Sequence, residues 1–134
     1  MRGVTALGDV LEENNYNQLI IMGSDAEFAN RENELPVDQH LLLSLVAPRK
    51  LSVVSASNDS WADPTSEFLA CCAASKAWEE KGLTGFVQPD RMALYEERFN
   101  EGHIGYYYRE GNHYLSQLDW LAHMSFWNKR NSVW

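Results

Sequence analysis

Two residues of this chain combine a suitable type with a suitable setting for proton-transfer chemistry, Asp59 and His113. Asp59 lies in the polar segment Ser57-Asn58-Asp59-Ser60, directly after the β-branched, apolar run Leu51 to Ala56. His113 follows the aromatic run Ile104 to Arg109 through Glu110-Gly111-Asn112. Both runs read as strands and both polar segments as the loops that follow them. A carboxylate on one loop can hold one nitrogen of an imidazole on the other, fixing its tautomer and stabilising the imidazolium formed when the second nitrogen takes a proton. Taken singly, Asp59 is as well explained as a turn cap and His113 as a structural loop histidine.

Their order strengthens the pairing. Acid before histidine, each on a loop after a strand with a helix between, is how α/β-hydrolases carry the last two members of a Ser-His-acid triad. The separation of 54 positions (113 minus 59) leaves room for a crossover helix and a connection. The nucleophile is the gap, because no G-x-S-x-G-like elbow occurs. Ser24, after Gly23, lacks the flanking glycines that such an elbow needs. Trp61, two residues beyond Asp59, offers a flat apolar face on which the C–H surface of a sugar ring could pack, or else simply covers a core edge. Tyr106, Tyr107 and Tyr108 read as strand filling, since neighbours along a strand face opposite sides.

Eleven basic against nineteen acidic residues leave a net charge of −8, the wrong sign for gripping nucleic acid or an anionic lipid surface. The longest apolar stretch, Leu41 to Pro48, is far shorter than the ~20 residues of a membrane-spanning helix, and Met1 opens no signal pattern. Cys71 and Cys72 are adjacent, which disfavours a mutual disulfide, and read as small core residues. His40, His103, His113 and His123 show no short ligand spacing, so neither a metal nor another cofactor is expected.

The elements that must position these groups follow from pattern. Gln18 to Met22 reads as a short buried strand. Pro36 opens a helix of about three turns, with Val37, Leu41, Leu42 and Leu45 at helical spacing until Pro48. Asp63-Pro64-Thr65 starts a second helix whose inner face would carry Phe68, Leu69, Cys72, Ala73 and Trp78 up to Gly82. Gly85 to Gly102 reads as irregular with a short helix near Arg91 to Glu96, and a closing helix would bury Leu118, Leu121, Ala122, Ser125 and Phe126. The fold class is α/β: the C-terminal portion of an α/β-hydrolase fold, a mostly parallel sheet with flanking helices.

Several segments are recognisable in their wording: Leu35-Pro36-Val37-Asp38-Gln39-His40, Ala47-Pro48-Arg49, Ser55 to Pro64 and Glu67-Phe68-Leu69. With Ile104-Gly105-Tyr106, Arg109 to His113 and Asp119-Trp120, they resemble the C-terminal part of glucuronoyl esterases, bacterial members above all. The resemblance runs from about Phe28 to Phe126, which divides the chain into residues 1–27, unassigned, and residues 28–134, the esterase-like part. It implies a serine hydrolase, without metal or organic cofactor, that cleaves 4-O-methyl-glucuronoyl esters joining xylan to lignin. His113 matches the family's catalytic histidine, Asp59 the acid position that bacterial members use, and Trp61 a substrate-contacting tryptophan. Other members place a glutamate acid soon after the nucleophile, so the choice of acid stays open. Asp38, His40 and Asp63 read as loop-fixing residues. Tyr107, Lys50 and Tyr114 depart from the family pattern, at positions where histidine, proline and aspartate are common.

The resemblance implies an exported parent acting on glucuronoxylan in plant cell wall. The expectation is an esterase piece, inactive by itself, that supplies acid and histidine but no serine. A carbohydrate-binding or interaction remnant using Trp61 is the alternative, and an unrelated small α/β domain the third.

Overall fold

The computed structural model describes residues 36–129. The strand expected at Gln18 to Met22 lies outside that range. Within it, β1 (Leu51–Ala56) and β3 (Ile104–Arg109) pair in parallel, from Leu51 opposite Ile104 to Ala56 opposite Arg109. The two-residue β2 (Arg98–Phe99) pairs antiparallel on the far side of β3, giving the order β1-β3-β2. The small sheet is mostly parallel, as expected, and is made mixed only by the short antiparallel β2, which comes from a connection that carries no alternating pattern to announce it. Parallel pairing with nearly matched ends brings the loops after β1 and β3 out at the same edge, side by side.

Alternation along the strands sorts the side chains onto two faces. Ile104 and Tyr106 point toward α2 (Pro64–Ala74) and build a core with Phe68, Cys71, Ala74 and Trp78. Four rings, Phe68, Phe86, Phe99 and Tyr106, meet largely edge to face with centroids 5.2 to 6.5 Å apart, the arrangement that ring quadrupoles favour. Trp78 lies on α3 (Lys76–Glu79), fully buried, and donates its indole N–H to the Arg49 carbonyl at 2.9 Å. On the opposite face Gly105 gives α4 (Gln117–Asn128) room to close in. A Cβ added there would meet the Phe126 ring at 2.7 Å.

Several helix expectations change. The first helix, α1, covers only Gln39–Ser44, because Asp38 caps it by accepting from the Gln39 N–H at 2.6 Å and leaves Pro36 outside. The second breaks at Ser75, whose hydroxyl donates to Glu79 and accepts from the Phe86 N–H. Its buried face is Ser66, Phe68, Ala70, Cys71 and Ala74, while Leu69 is exposed. Small residues face inward, which lets the helix approach its neighbours closely. No helix forms at Arg91 to Glu96; instead Glu97 ties Arg91 and the Leu94 N–H into a turn. In α4 the inward residues are Asp119, Ala122 and Phe126, and Leu118 and Leu121 stand exposed. Asp119, drawn inward, sets the rotation of that helix.

Close packing at Gly105 predicts that Gly105→Ala lowers unfolding free energy by about 1–3 kcal/mol. Leu121→Gln on the exposed face should change it by less than about 0.5 kcal/mol. Urea unfolding followed by tryptophan fluorescence checks both.

Candidate active site

At the shared edge, the two loops are stitched together by continuing the ladder past the strands. The Ser57 N–H donates to the Arg109 carbonyl at 3.0 Å and the Asn58 N–H to the Gly111 carbonyl at 2.9 Å. In return the Gly111 N–H donates to the Ser57 hydroxyl at 3.2 Å. Gly111 holds φ 127°, in the region that favours glycine, and a Cβ there would lie 2.7 Å from the Arg109 guanidinium.

Asp59 is buried at the turn where its own N–H donates to the Ala56 carbonyl at 3.1 Å. Its Oδ1 accepts from the Ala62 N–H, and its Oδ2 lies 2.6 Å from Nδ1 of His113. The His113 side chain is 84% exposed, against 9% for Asp59. Its Nε2 has no hydrogen-bond partner among the described residues. A carboxylate–imidazole contact with one partner so open to solvent contributes only ~0–1 kcal/mol to stability. The loops must therefore be held in place by something stronger.

Arg109 supplies it. The residue is 3% exposed, and its Nε donates to Oδ1 of Asp119 at 2.5 Å. Nη1 donates to the Glu110 carbonyl, and Nη2 to the carbonyls of Asn112 and Tyr114 at 3.1 and 2.6 Å. The guanidinium also lies 4.7 Å from the Tyr114 ring centre. One buried cation thus gathers three carbonyls from the turn that carries His113. Asp119 in turn forms a capping box with Ser116 at the start of α4. Burial pushes the Asp119 carboxyl up, but the Ser116 hydrogen bonds and Arg109 outweigh it and hold the group below its ordinary value. From the other side, Glu96 accepts from the Glu110 N–H at 2.9 Å and from the Tyr107 hydroxyl.

A hollow of about 290 Å³ opens beside the pair, lined by Asp59, Glu67, Arg109, His113, Asp119 and His123 among others. Glu67, in the first turn of α2, accepts from the Ser55 hydroxyl. Burial pushes its carboxyl above the ordinary value, and Asp59 and Asp63 add to the push. Trp61 is half-exposed on the same loop as Asp59, but Ala62 rather than Trp61 lines the hollow. Asp38 and Asp63 cap α1 and α2, Asp63 with a left-handed φ of 50° and a hydrogen bond from the Ser66 hydroxyl at 2.6 Å. His40 lies 3.9 Å from the Asp38 carboxylate. Cys71 is buried in the core, and both cysteines are free. Among the described residues, no group of three or more His, Cys, Asp or Glu could hold a metal ion, and no helix is long and apolar enough to cross a membrane.

Reading the sequence missed Arg109, Asp119 and Glu67 as parts of this site. Ser116-x-x-Asp119 is a capping-box signature, and Glu67 sits in the first turn after a Pro at the helix start. Neither pattern reveals that the carboxylate also faces the loops.

Residues 6–82 match the family described as "Glucuronyl esterase, fungi". This chain belongs to that family of glucuronoyl esterases. It is 33% identical over 105 residues to carbohydrate esterase MZ0003 from an unknown prokaryotic organism, covering 75% of this chain and 23% of that protein. With 4-O-methyl-glucuronoyl methylesterase 1 of Sodiomyces alcalophilus it shares 41% identity over 63 residues, 45% of this chain and 13% of the relative. Among solved structures, a promiscuous CE15 esterase from a marine bacterial metagenome superposes with TM-score 0.70 at 34% identity, over 75% of this chain and 25% of that one. The glucuronoyl esterase of Solibacter usitatus gives TM-score 0.67 at 39% identity, with the same coverage. The chain thus spans about a quarter of the length of these structures. The described elements accordingly form part of an α/β-hydrolase-like architecture.

The buried pair makes a prediction with a definite sign. Asp119 has a lowered folded-state value, so its contribution is present above about pH 4 and is lost as the pH falls below that. Glu67, raised, acts in the opposite sense, its cost growing as the pH rises above 4.5. Asp119→Asn leaves Arg109 buried without its carboxylate and should cost about 3–5 kcal/mol at pH 7. The loss should shrink toward pH 3, as measured by urea midpoints across that range.

Proposed function

We propose that Asp59 and His113 are the acid and base of a Ser-His-Asp ester hydrolase acting on glucuronoyl esters. The observation that carries this reading is the 2.6 Å contact from buried Asp59 to Nδ1 of His113, while the rest of the ring faces outward. In the reaction, Nε2 of His113 takes the proton from a serine hydroxyl as its oxygen attacks the ester carbonyl. The imidazolium so formed is stabilised by Asp59 and then gives that proton to the departing alcohol. Water repeats the sequence on the acyl-enzyme: His113 takes its proton, and the serine recovers one as the acid leaves. The serine belongs to the part of the esterase that this chain does not span in its relatives. Trp61, half-exposed beside Asp59, is the surface on which the sugar ring packs. The substrate class follows the relatives named for 4-O-methyl-glucuronoyl esters. In the cell wall, such esters would join glucuronoxylan to lignin alcohols, which places the working enzyme outside the cell.

The chain alone should not hydrolyse a methyl glucuronate ester, and co-expression with the serine-bearing part of a relative should give turnover. In that complex, His113→Ala should remove turnover and Asp59→Asn should lower kcat by about 10³–10⁴, with little change in KM. Trp61→Ala should raise KM about fivefold, the size of one lost ring contact of ~1 kcal/mol. Undiminished turnover in His113→Ala would overturn the assignment.

A further inference from the structure

Of the three carboxylates lining the hollow, Asp59 belongs to the proposed chemistry and Asp119 is paired with Arg109, which leaves Glu67 without an assigned role. It is held on three sides. Its own helix α2 begins at Pro64, so the carboxylate sits in a first turn where negative charge is favoured. From β1 the Ser55 hydroxyl donates to it, and Ser55 is itself almost wholly buried. The loop ends that carry Asp59 and His113 close the remaining side, all three residues lining one hollow.

We propose that Glu67 is a positioning residue for the Asp59–His113 pair, a second carboxylate whose charge supports the imidazolium without touching the reacting atoms. This rests on the reading of His113 as the base. Asp59 supports the imidazolium directly, and besides Glu67 no other charged group among the described residues lining the hollow is placed to add to that support. Asp59 is engaged at Nδ1, and Arg109 and Asp119 are committed to each other. Around Glu67 itself, Asp59 and Asp63 disfavour its charge, whereas protonated His113 favours it. Tyr106 of β3 and Cys71 of α2 also feel the carboxylate, but burial keeps both groups neutral by raising them. Coupling is reciprocal, so whatever His113 does to Glu67, Glu67 does to His113.

A purely structural Glu67, serving only Ser55 and the helix start, would leave the imidazole indifferent to its charge. Glu67→Gln separates the two roles, because the amide oxygen can still accept from Ser55 while the charge is gone. The test is the imidazole titration of His113 by NMR in the full chain, with wild type, Glu67→Gln and Asp59→Asn in parallel. The inference predicts that Glu67→Gln moves the His113 midpoint to lower pH by about 0.3–0.5 unit, the size of one partly screened charge. Asp59→Asn should move it further in the same direction. A midpoint unchanged within 0.1 unit in Glu67→Gln, with a clear shift in Asp59→Asn, overturns the role of Glu67 alone. No shift in either variant would sink the pair itself. If Glu67→Gln does not fold, the carboxyl carbon of Glu67 is followed instead in His113→Ala. There the Glu67 midpoint should rise as its cationic neighbour is lost, and an unmoved midpoint would count against the inference.

Discussion

The arrangement depends on one buried cation. Arg109 ends β3, points to the side of the sheet covered by α4, and is almost wholly withdrawn from water. A guanidinium in that position is tolerable only if its donors are met, and Asp119 with three loop carbonyls meets them. Those carbonyls belong to the turn that presents His113, so the need to satisfy Arg109 dictates the path of the turn. The same demand draws Asp119 inward, which sets the rotation of α4 and brings Phe126 over Gly105. Core packing and the placement of the histidine are thereby one problem with one solution.

Comparing magnitudes assigns the roles. Breaking the Arg109–Asp119 pair costs several kcal/mol because an uncompensated charge stays buried. The Asp59–His113 contact, with an exposed imidazole, contributes to stability by at most ~1 kcal/mol. The strong interaction therefore fixes the loop, and the weak one lies at the imidazole proposed to exchange a proton. An imidazole that was itself the anchor could not change charge without loosening the loop.

How much was legible in the sequence follows from the same physics. β1 and β3 could be read because strands covered by helices carry continuous β-branched, apolar or aromatic runs, and the loops after them because polar, turn-forming residues follow at once. The partnership of Asp59 and His113 was readable as an order along the chain, but only parallel pairing with matched ends turns that order into contact. Leu118 and Leu121 misled because an apolar residue at helical spacing need not face the core. A buried ion pair outbid them for the inward position. The two-residue β2 was not readable because it is too short to show a period, and the interruption of the second helix because it rests on one hydrogen-bonding residue, Ser75.

If the clamp on the loop governs the site, it holds His113 with its Nδ1 proton directed at Asp59. Long-range proton–nitrogen NMR of the imidazole, recorded above its titration range, reports which nitrogen carries the proton. The wild type should show the Nδ1–H tautomer with a strongly downfield proton, replaced in Arg109→Met by the signals of a free imidazole, in which the Nε2–H form prevails. A wild-type His113 already in that free state, or an Nδ1–H signal untouched by the loss of Arg109, would contradict it.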